Sequence, residues 1–255
     1  MDLKLKDMRA LVTGASRGLG YATALGLAQE GCRVVINSRD VERITQAAAR
    51  MAQQTGAEVY GVVGDVSDPA VPSQIISQAA KHLGGLDLLV TNAGGPPPGK
   101  FESFEDDTWQ KAVDLSLFSH VRLIRAALPY LRKSSAASVL AITSYSVKQP
   151  IPNLILSNSV RAATIGLIKS LALELGNEAI RFNSILPAWT ETERVEQLME
   201  ARAKANSSSI AEEIQKQAKD SPLGRMGKPE EFANAAVFLL SPAAQRLQNL
   251  IGVVQ

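Results

Sequence analysis

Short apolar, β-branched runs alternate along this chain with longer stretches of helical periodicity, and no other feature restricts the fold as much. The runs are Ala10 to Thr13, Arg33 to Asn37, Val59 to Val63, Leu86 to Thr91, Ser138 to Thr143, Arg181 to Leu186 and Gly252 to Val254. They are mostly continuous rather than alternating, as strands covered by helices on both faces must be. Helix-period segments such as Leu19 to Glu30, Val41 to Gln54 and Pro69 to Leu83 lie between them, with Gly31, Gly56 and Gly84 where helix C-caps fall. Strict alternation predicts an α/β fold: a doubly wound parallel sheet with right-handed crossovers and helices on both faces. No repeat or linker composition interrupts it. Pro96-Pro97-Pro98-Gly99 reads as a stiff loop inside the unit, so the 255 residues are expected to form a single domain.

Composition narrows the function. Hydrophobic residues are 45% and charged residues 20%, and the net charge of +2 argues against binding nucleic acid by bulk charge. The single cysteine, Cys32, excludes an intrachain disulfide framework and fits a reducing compartment. No apolar run approaches the roughly 18 residues of a membrane helix, and the first residues lack a signal peptide's apolar stretch. A cytoplasmic protein without membrane or nucleic-acid partners is the expectation. His82 and His120 stand apart from each other and from Cys32, so no metal site is expected.

The first strand runs into Thr13-Gly14-Ala15-Ser16-Arg17-Gly18-Leu19-Gly20 and then a helix. Glycines there let the chain turn sharply and let backbone N–H groups approach a pyrophosphate, towards which the helix points its positive end. The spacing is G-x-x-x-G-x-G. In this position it marks a dinucleotide-binding turn.

That segment resembles the T-G-x-x-x-G-x-G of the short-chain dehydrogenase/reductase family, and further matches follow in order over nearly the whole chain. They are Asp65-Val66, Asn92-Ala93-Gly94, Ile180-Arg181-Phe182-Asn183-Ser184-Ile185-Leu186-Pro187 and the stretch Ser221 to Glu231. The resemblance, nearest to the 3-oxoacyl-carrier-protein reductase-like branch, implies a Rossmann-like sheet and a homotetramer or dimer. It also implies a nicotinamide cofactor with a small-molecule carbonyl or alcohol substrate. Asp65 would contact adenine, Asn92 would line the cofactor cleft, and Thr192 would hold the nicotinamide carboxamide. Residues 190–220 would form a helical lid over the substrate.

The second strand ends Val35-Ile36-Asn37-Ser38-Arg39, with no carboxylate until Asp40. An acidic residue there would bind the ribose hydroxyls of NAD, whereas arginine forks onto the extra phosphate of NADP. Arg39, beside Ser38, and Arg17 in the glycine loop therefore favour NADP(H) over NAD(H). Asp40 is expected to cap the helix that follows; the alternative makes it an NAD ligand.

Members of the family use a tyrosine proton donor, a lysine four residues later, a serine and an asparagine. Ser144 matches the serine. The tyrosine position is Ser157, the lysine position Arg161, and Ser116 occupies the asparagine's place. A serine hydroxyl is a far weaker acid than a phenol, whose ordinary pKa is about 10. Arg161 remains charged and can fork onto ribose hydroxyls, which keeps half of the lysine's role. Tyr145, directly after Ser144, with Lys148 three residues on, offers a substitute donor pair; the alternative is a loop aromatic beside the cleft. Two functions stay open: an NADP(H)-dependent carbonyl oxidoreductase with a non-standard proton donor, and a catalytically silent NADP-binding sensor or partner subunit. His82 is expected to be solvated and His120 to be a core or interface residue. Trp189 is expected to pack and to border the substrate cleft. Arg122, Arg125, Arg132 and Lys133 read as a solvated helix face.

Overall fold

The computed structural model describes residues 1–254. Seven strands form one parallel sheet in the order β3-β2-β1-β4-β5-β6-β7. In chain order the strands are β1 (Arg9–Val12), β2 (Arg33–Ser38), β3 (Val59–Val63), β4 (Leu88–Thr91), β5 (Ser138–Ile142), β6 (Arg181–Pro187) and β7 (Ile251–Val254). The helices are α1 (Gly18–Gln29), α2 (Val41–Thr55), α3 (Val71–Leu83), α4 (Asp106–Val113), α5 (Ser119–Leu131), α6 (Ile155–Glu174), α7 (Glu193–Asn206), α8 (Ile210–Lys219) and α9 (Pro229–Leu240). The doubly wound architecture expected from the alternation is the one observed.

The continuous apolar runs have a direct cause. Ala10, Val12, Val34, Ile36, Leu88, Val90, Leu140 and Ile142 face one core, shared with α1, α2 and α9. Their neighbours Leu11, Val35, Leu89, Val139 and Ala141 face the other core, against α3, α5 and α6. The interior residues of the central strands β1, β2, β4, β5 and β6 are therefore buried on one side or the other, which removes the polar half of a period-two pattern. Burial at about 25 cal/mol per Å² across two such faces is the main stabilising contribution.

The strand order reverses direction between β1 and β4, and the loops after their C-terminal ends splay apart there. That crevice is where open sheets of this kind bind ligands. Asn37, buried at the end of β2, bolts the neighbouring rim by donating from Nδ2 to the carbonyls of Val62 and Gly64, at 3.1 Å each.

Several element boundaries shift by one residue, and two shift by two. α3 starts at Val71 rather than Pro69, because Asp68 first closes a turn, accepting from the Ala70 N–H at 2.9 Å. β4 starts at Leu88 rather than Leu86, since Asp87 is drawn to Arg9, whose backbone N–H and guanidinium both donate to its carboxylate. Between α4 and α5 the backbone widens into a π turn over Asp114–Phe118. Among the described residues, no helix is long and apolar enough to cross a membrane.

Candidate active site

Two glycines of the first turn are required by geometry. Gly14 has φ +57°, and a Cβ on it would stand 2.9 Å from both the backbone oxygen and Nδ2 of Asn92. A Cβ on Gly20 would meet the Gly14 carbonyl oxygen at 2.5 Å and Asn92 Nδ2 at 2.8 Å. Asn92 is the clamp of the turn. Its Nδ2 donates to the carbonyls of Gly14 (3.0 Å) and Thr13 (3.2 Å), and its backbone N–H donates to Thr13 Oγ1 at 2.9 Å. The N-cap of α1, Arg17, places no side chain on the helix N-terminus, so the first N–H groups stay available to an anion.

These features border a cleft of about 430 Å³. Gly14, Arg17, Gly18, Leu19, Asn92, Ala93 and Gly94 line its glycine-loop side, with Arg39 at its far end. Pro187 and Thr192 line the lid side, and Ser144, Tyr145, Ser157 and Arg161 converge on the remaining wall. Ser16, Gly20, Ser38, Asp65 and Val66 lie outside this lining. Gly20 serves the packing of the turn, and the Ser38 hydroxyl accepts from the Asp40 N–H at 3.3 Å. Asp65 accepts from the N–H and hydroxyl of Ser67 and lies 3.6 Å from Arg39; those hydrogen bonds and that cation outweigh its burial and lower its pKa. Asp40 caps α2, accepting from the Arg43 N–H at 3.0 Å.

Residues 193–219 of the segment expected to form the lid fold into α7 and α8. Thr192 caps α7 by accepting from the Val195 N–H at 3.3 Å, and Glu193 of its first turn pairs across the cleft with Arg17. Ser207 breaks the lid with φ 50°, and Ser209 starts α8 in a capping box with Glu212.

Arg161 is 8% exposed. Its Nη1 donates to the Thr143 carbonyl at 3.0 Å, its Nη2 reaches the Gly94 carbonyl at 3.4 Å, and its Nε, sealed from solvent, has no acceptor among the described residues. Burial, reinforced by Arg194, pushes its pKa down to about 10. Ser116 sits in the π turn, fully buried and away from the cleft lining, and its carbonyl accepts from Thr164 Oγ1 at 2.5 Å. The hydroxyl at the place of the family's asparagine is buried without a hydrogen-bond partner among the described residues.

Tyr145 opens a single 3₁₀ turn whose N-cap is Ser144. Trp189 Nε1 donates to the Tyr145 hydroxyl at 2.8 Å, and the rings meet edge to face at 6.4 Å. The phenolic oxygen accepts, so its own proton is free to be donated. Burial raises the phenol's pKa, opposed by the Trp189 hydrogen bond and the Arg202 charge. The expected Tyr145–Lys148 pair is not assembled: Lys148 is exposed beyond the turn and absent from the cleft lining. Trp189 is the partner instead, 44 residues away, with the Arg202 guanidinium 4.7 Å over its ring.

The histidines are placed as expected. His82 is exposed and stacks on Tyr60 at 4.7 Å. His120 is buried, with Nδ1 2.7 Å from Thr91 Oγ1, and burial together with the Arg161 charge pushes its pKa down to about 3, so it is neutral. Arg122 and Arg132 are occupied by Asp114 and Glu178. The described residues contain no group of three or more His, Cys, Asp and Glu arranged to hold a metal ion. Sequence reasoning missed Arg194, which faces the cleft from the lid and looks like any solvated helix residue in the sequence.

Comparison with known proteins agrees with this geometry. Residues 14–250 match the family model described as enoyl-(acyl carrier protein) reductase. Dehydrogenase/reductase SDR family member 4 of Bos taurus is 32% identical over 251 residues, covering 98% of this chain and 86% of that protein. The crystal structure of L-sorbose reductase from Gluconobacter frateurii with NADPH and L-sorbose superposes with a TM-score of 0.95. It is 30% identical over 100% of this chain and 97% of that one. A 7α-hydroxysteroid dehydrogenase complexed with NADH and 7-oxoglycochenodeoxycholic acid superposes with a TM-score of 0.90, at 29% identity over 99% and 94%. With the glycine turn, the Asn92 clamp and the parallel sheet in register across its whole length, the chain belongs to the short-chain dehydrogenase/reductase family.

Proposed function

We propose that this protein is an NADP(H)-dependent carbonyl oxidoreductase in which Tyr145 supplies the proton. The observation that carries the reading is the Trp189–Tyr145 hydrogen bond, which fixes a phenol on the cleft wall beside Ser144 with its proton directed away from the indole. The residues present fit a nicotinamide dinucleotide. The cradle at Gly14 and Gly20 has no room for a Cβ, the α1 N-terminus carries no side-chain cap, and Arg161 has an N–H without an acceptor. When bound, the cofactor supplies the hydride that adds to the carbonyl carbon.

The chain's own groups do the rest. The α1 N-terminus and Gly14–Gly18 hold the pyrophosphate, Thr192 the carboxamide, and Arg161 the nicotinamide ribose. Ser144 orients the carbonyl oxygen, and Tyr145 gives it the proton. Arg39 and Arg17 favour the 2′-phosphate of NADP, with Arg17 released from Glu193 as the phosphate arrives. Asp40, spent on capping α2, is not free to bind ribose hydroxyls, which supports the same preference. L-Sorbose reductase uses NADPH in its crystal structure and the 7α-hydroxysteroid dehydrogenase contains NADH, so neighbours of both kinds exist. Residues 190–220 act as the substrate lid.

The test is NADPH oxidation against a panel of ketones. Tyr145→Phe is expected to lower kcat by about 10²–10⁴, the usual contribution of a positioned general acid, while NADPH binding persists. Ser157→Ala is expected to cost far less. Full activity in Tyr145→Phe would overturn the assignment. The second reading, a silent dinucleotide-binding partner, rests on Ser157 and Arg161 standing where the family places tyrosine and lysine. It gains if the wild type binds NADPH without turnover and Ser157→Tyr combined with Arg161→Lys creates activity.

A further inference from the structure

The cleft is rich in positive charge. Its lining contains four guanidinium groups, those of Arg17, Arg39, Arg161 and Arg194, against one carboxylate, Glu193. Glu193 is taken by Arg17, and Arg39 leans on Asp65. Arg161 and Arg194 are left without a carboxylate partner among the described residues. Both are tied to one loop: Arg161 Nη2 reaches the Gly94 carbonyl at 3.4 Å, and Arg194 Nη2 donates to the Pro96 carbonyl at 2.8 Å. Gly95 lies between them, so close that a Cβ there would stand 3.1 Å from Arg194 Nη2. The loop thus ties two cations into the lining that also includes Ser144 and Tyr145.

Backbone carbonyls answer the hydrogen bonds of these groups but not their charge. Removing a cation from water without a counter-charge is costly, and two of them repel. Their mutual repulsion and burial lower the pKa of Arg161, and burial lowers that of Arg194. The Nε of Arg161 is buried without an acceptor. Ribose hydroxyls would fill that hydrogen bond and leave the charge unanswered. A planar carboxylate on Arg194 would supply that counter-charge while a cofactor ribose holds Arg161, and a guanidinium fork matches its geometry.

We propose that Arg194, with the unneutralised charge of Arg161 behind it, forms an anion subsite for the carboxylate of the substrate, so that the carbonyl compounds this protein reduces are oxo acids. The proposal rests on the reading of the cleft as a dinucleotide and carbonyl site, and it names the substrate class of that site. Arg194 is a specificity residue from the lid: closing α7 over the cleft completes the subsite. A cofactor phosphate is the competing occupant, since Glu193 of the same turn of α7 pairs with Arg17 of the glycine loop, and the arms of the test separate the two.

The full-length protein is saturated with NADP⁺, which has no hydride to give a ketone, and titrated calorimetrically with 2-oxo acids from pyruvate to 2-oxo-4-phenylbutanoate. The neutral 4-phenylbutan-2-one, in which a methyl group stands in place of the carboxylate, is titrated alongside. The acid is expected to bind at least about tenfold more tightly than its neutral match. Arg194→Gln is expected to weaken acid binding about 10- to 100-fold, as loss of one member of a desolvated charge pair does, and Arg194→Lys is expected to recover part of it. Melting curves of the unliganded variants establish that they fold.

Equal affinity for acid and ketone, no acid binding at all, or an acid preference that survives Arg194→Gln overturns the subsite while NADP⁺ binding stands. If Arg194→Gln instead weakens NADP⁺ and spares the acid, the arginine is a cofactor-phosphate ligand and the proposal is wrong. If the wild type binds the acid through Arg194 but binds no NADP⁺, the subsite survives and the dinucleotide reading falls.

Discussion

Gly20→Ala tests the architecture of the cofactor turn, because it adds one methyl group at a point where the backbone leaves no room for it. The new Cβ would sit 2.5 Å from the Gly14 carbonyl oxygen and 2.8 Å from Asn92 Nδ2. The first obstacle is backbone, so relief requires α1 to move relative to the turn. Overpacking of this kind costs about 1–3 kcal/mol, and a backbone obstacle puts it at the upper end. Alanine returns about 1 kcal/mol of helix propensity inside α1. The net loss is about 2 kcal/mol, or a melting temperature lower by about 4–8 °C for a chain of this size.

Two companion variants separate the causes. Gly56→Ala meets the same residue change at φ 70°, with nothing within 4 Å, so it carries left-handed strain alone, about 1 kcal/mol. Gly14→Ala carries both burdens, φ +57° and a 2.9 Å approach to Asn92, and is expected to be the worst of the three. Thermal melts rank stability, and titration with NADPH reads the turn itself. Gly20→Ala and Gly14→Ala should weaken NADPH by about tenfold or more, a change of about 1.4 kcal/mol. Gly56→Ala should leave the affinity as it is. A Gly20→Ala protein that melts and binds NADPH like the wild type would refute the close-packed turn and Asn92's role as its clamp.

Other outcomes follow from the same structure. Cys32 is 1% exposed and burial pushes its thiol up to about 12, so a thiol reagent should leave the native protein unlabelled at pH 8 and label it fully once it unfolds. Glu213, hydrogen-bonded by Ser208, Lys216 and Asn206, is held down to about 2 in the folded lid, against an unfolded value of 4.5. Its stabilisation is present above pH 4.5 and is lost as pH falls towards 2. Proteolysis between α7 and α8 should therefore accelerate over that window, and Glu213→Gln should flatten the dependence.

Much of the fold was legible because burial on both faces writes continuous apolar runs into the central strands, from Leu11 facing one core to Val12 facing the other. Edges were less legible. Asp68 and Asp87 decide where α3 and β4 begin through side-chain hydrogen bonds that leave no periodic trace. The glycine turn was legible because its glycines recur within one short segment, although Asn92, against which Gly14 and Gly20 pack, comes from beyond β4. The chemistry on the opposite wall was not, since its contacts join distant segments. Tyr145 meets Trp189 across 44 residues, and Arg17 meets Glu193 across 176. Lys148, adjacent to Tyr145 in sequence, ends up outside the cleft because the 3₁₀ turn carries the chain out to solvent. Arg194 gave no signal, being one charged residue among many in a polar helix.

The central claim is that the cleft between the glycine turn and Tyr145 is a working dinucleotide site with a preference for NADP(H). Calorimetric titration of the purified protein with NADPH and, separately, with NADH tests it without any assumption about substrate. The account predicts that NADPH binds tightly and NADH about tenfold or more weaker, with Arg39→Ala closing the gap by weakening NADPH alone. Failure of either nucleotide to bind would contradict it.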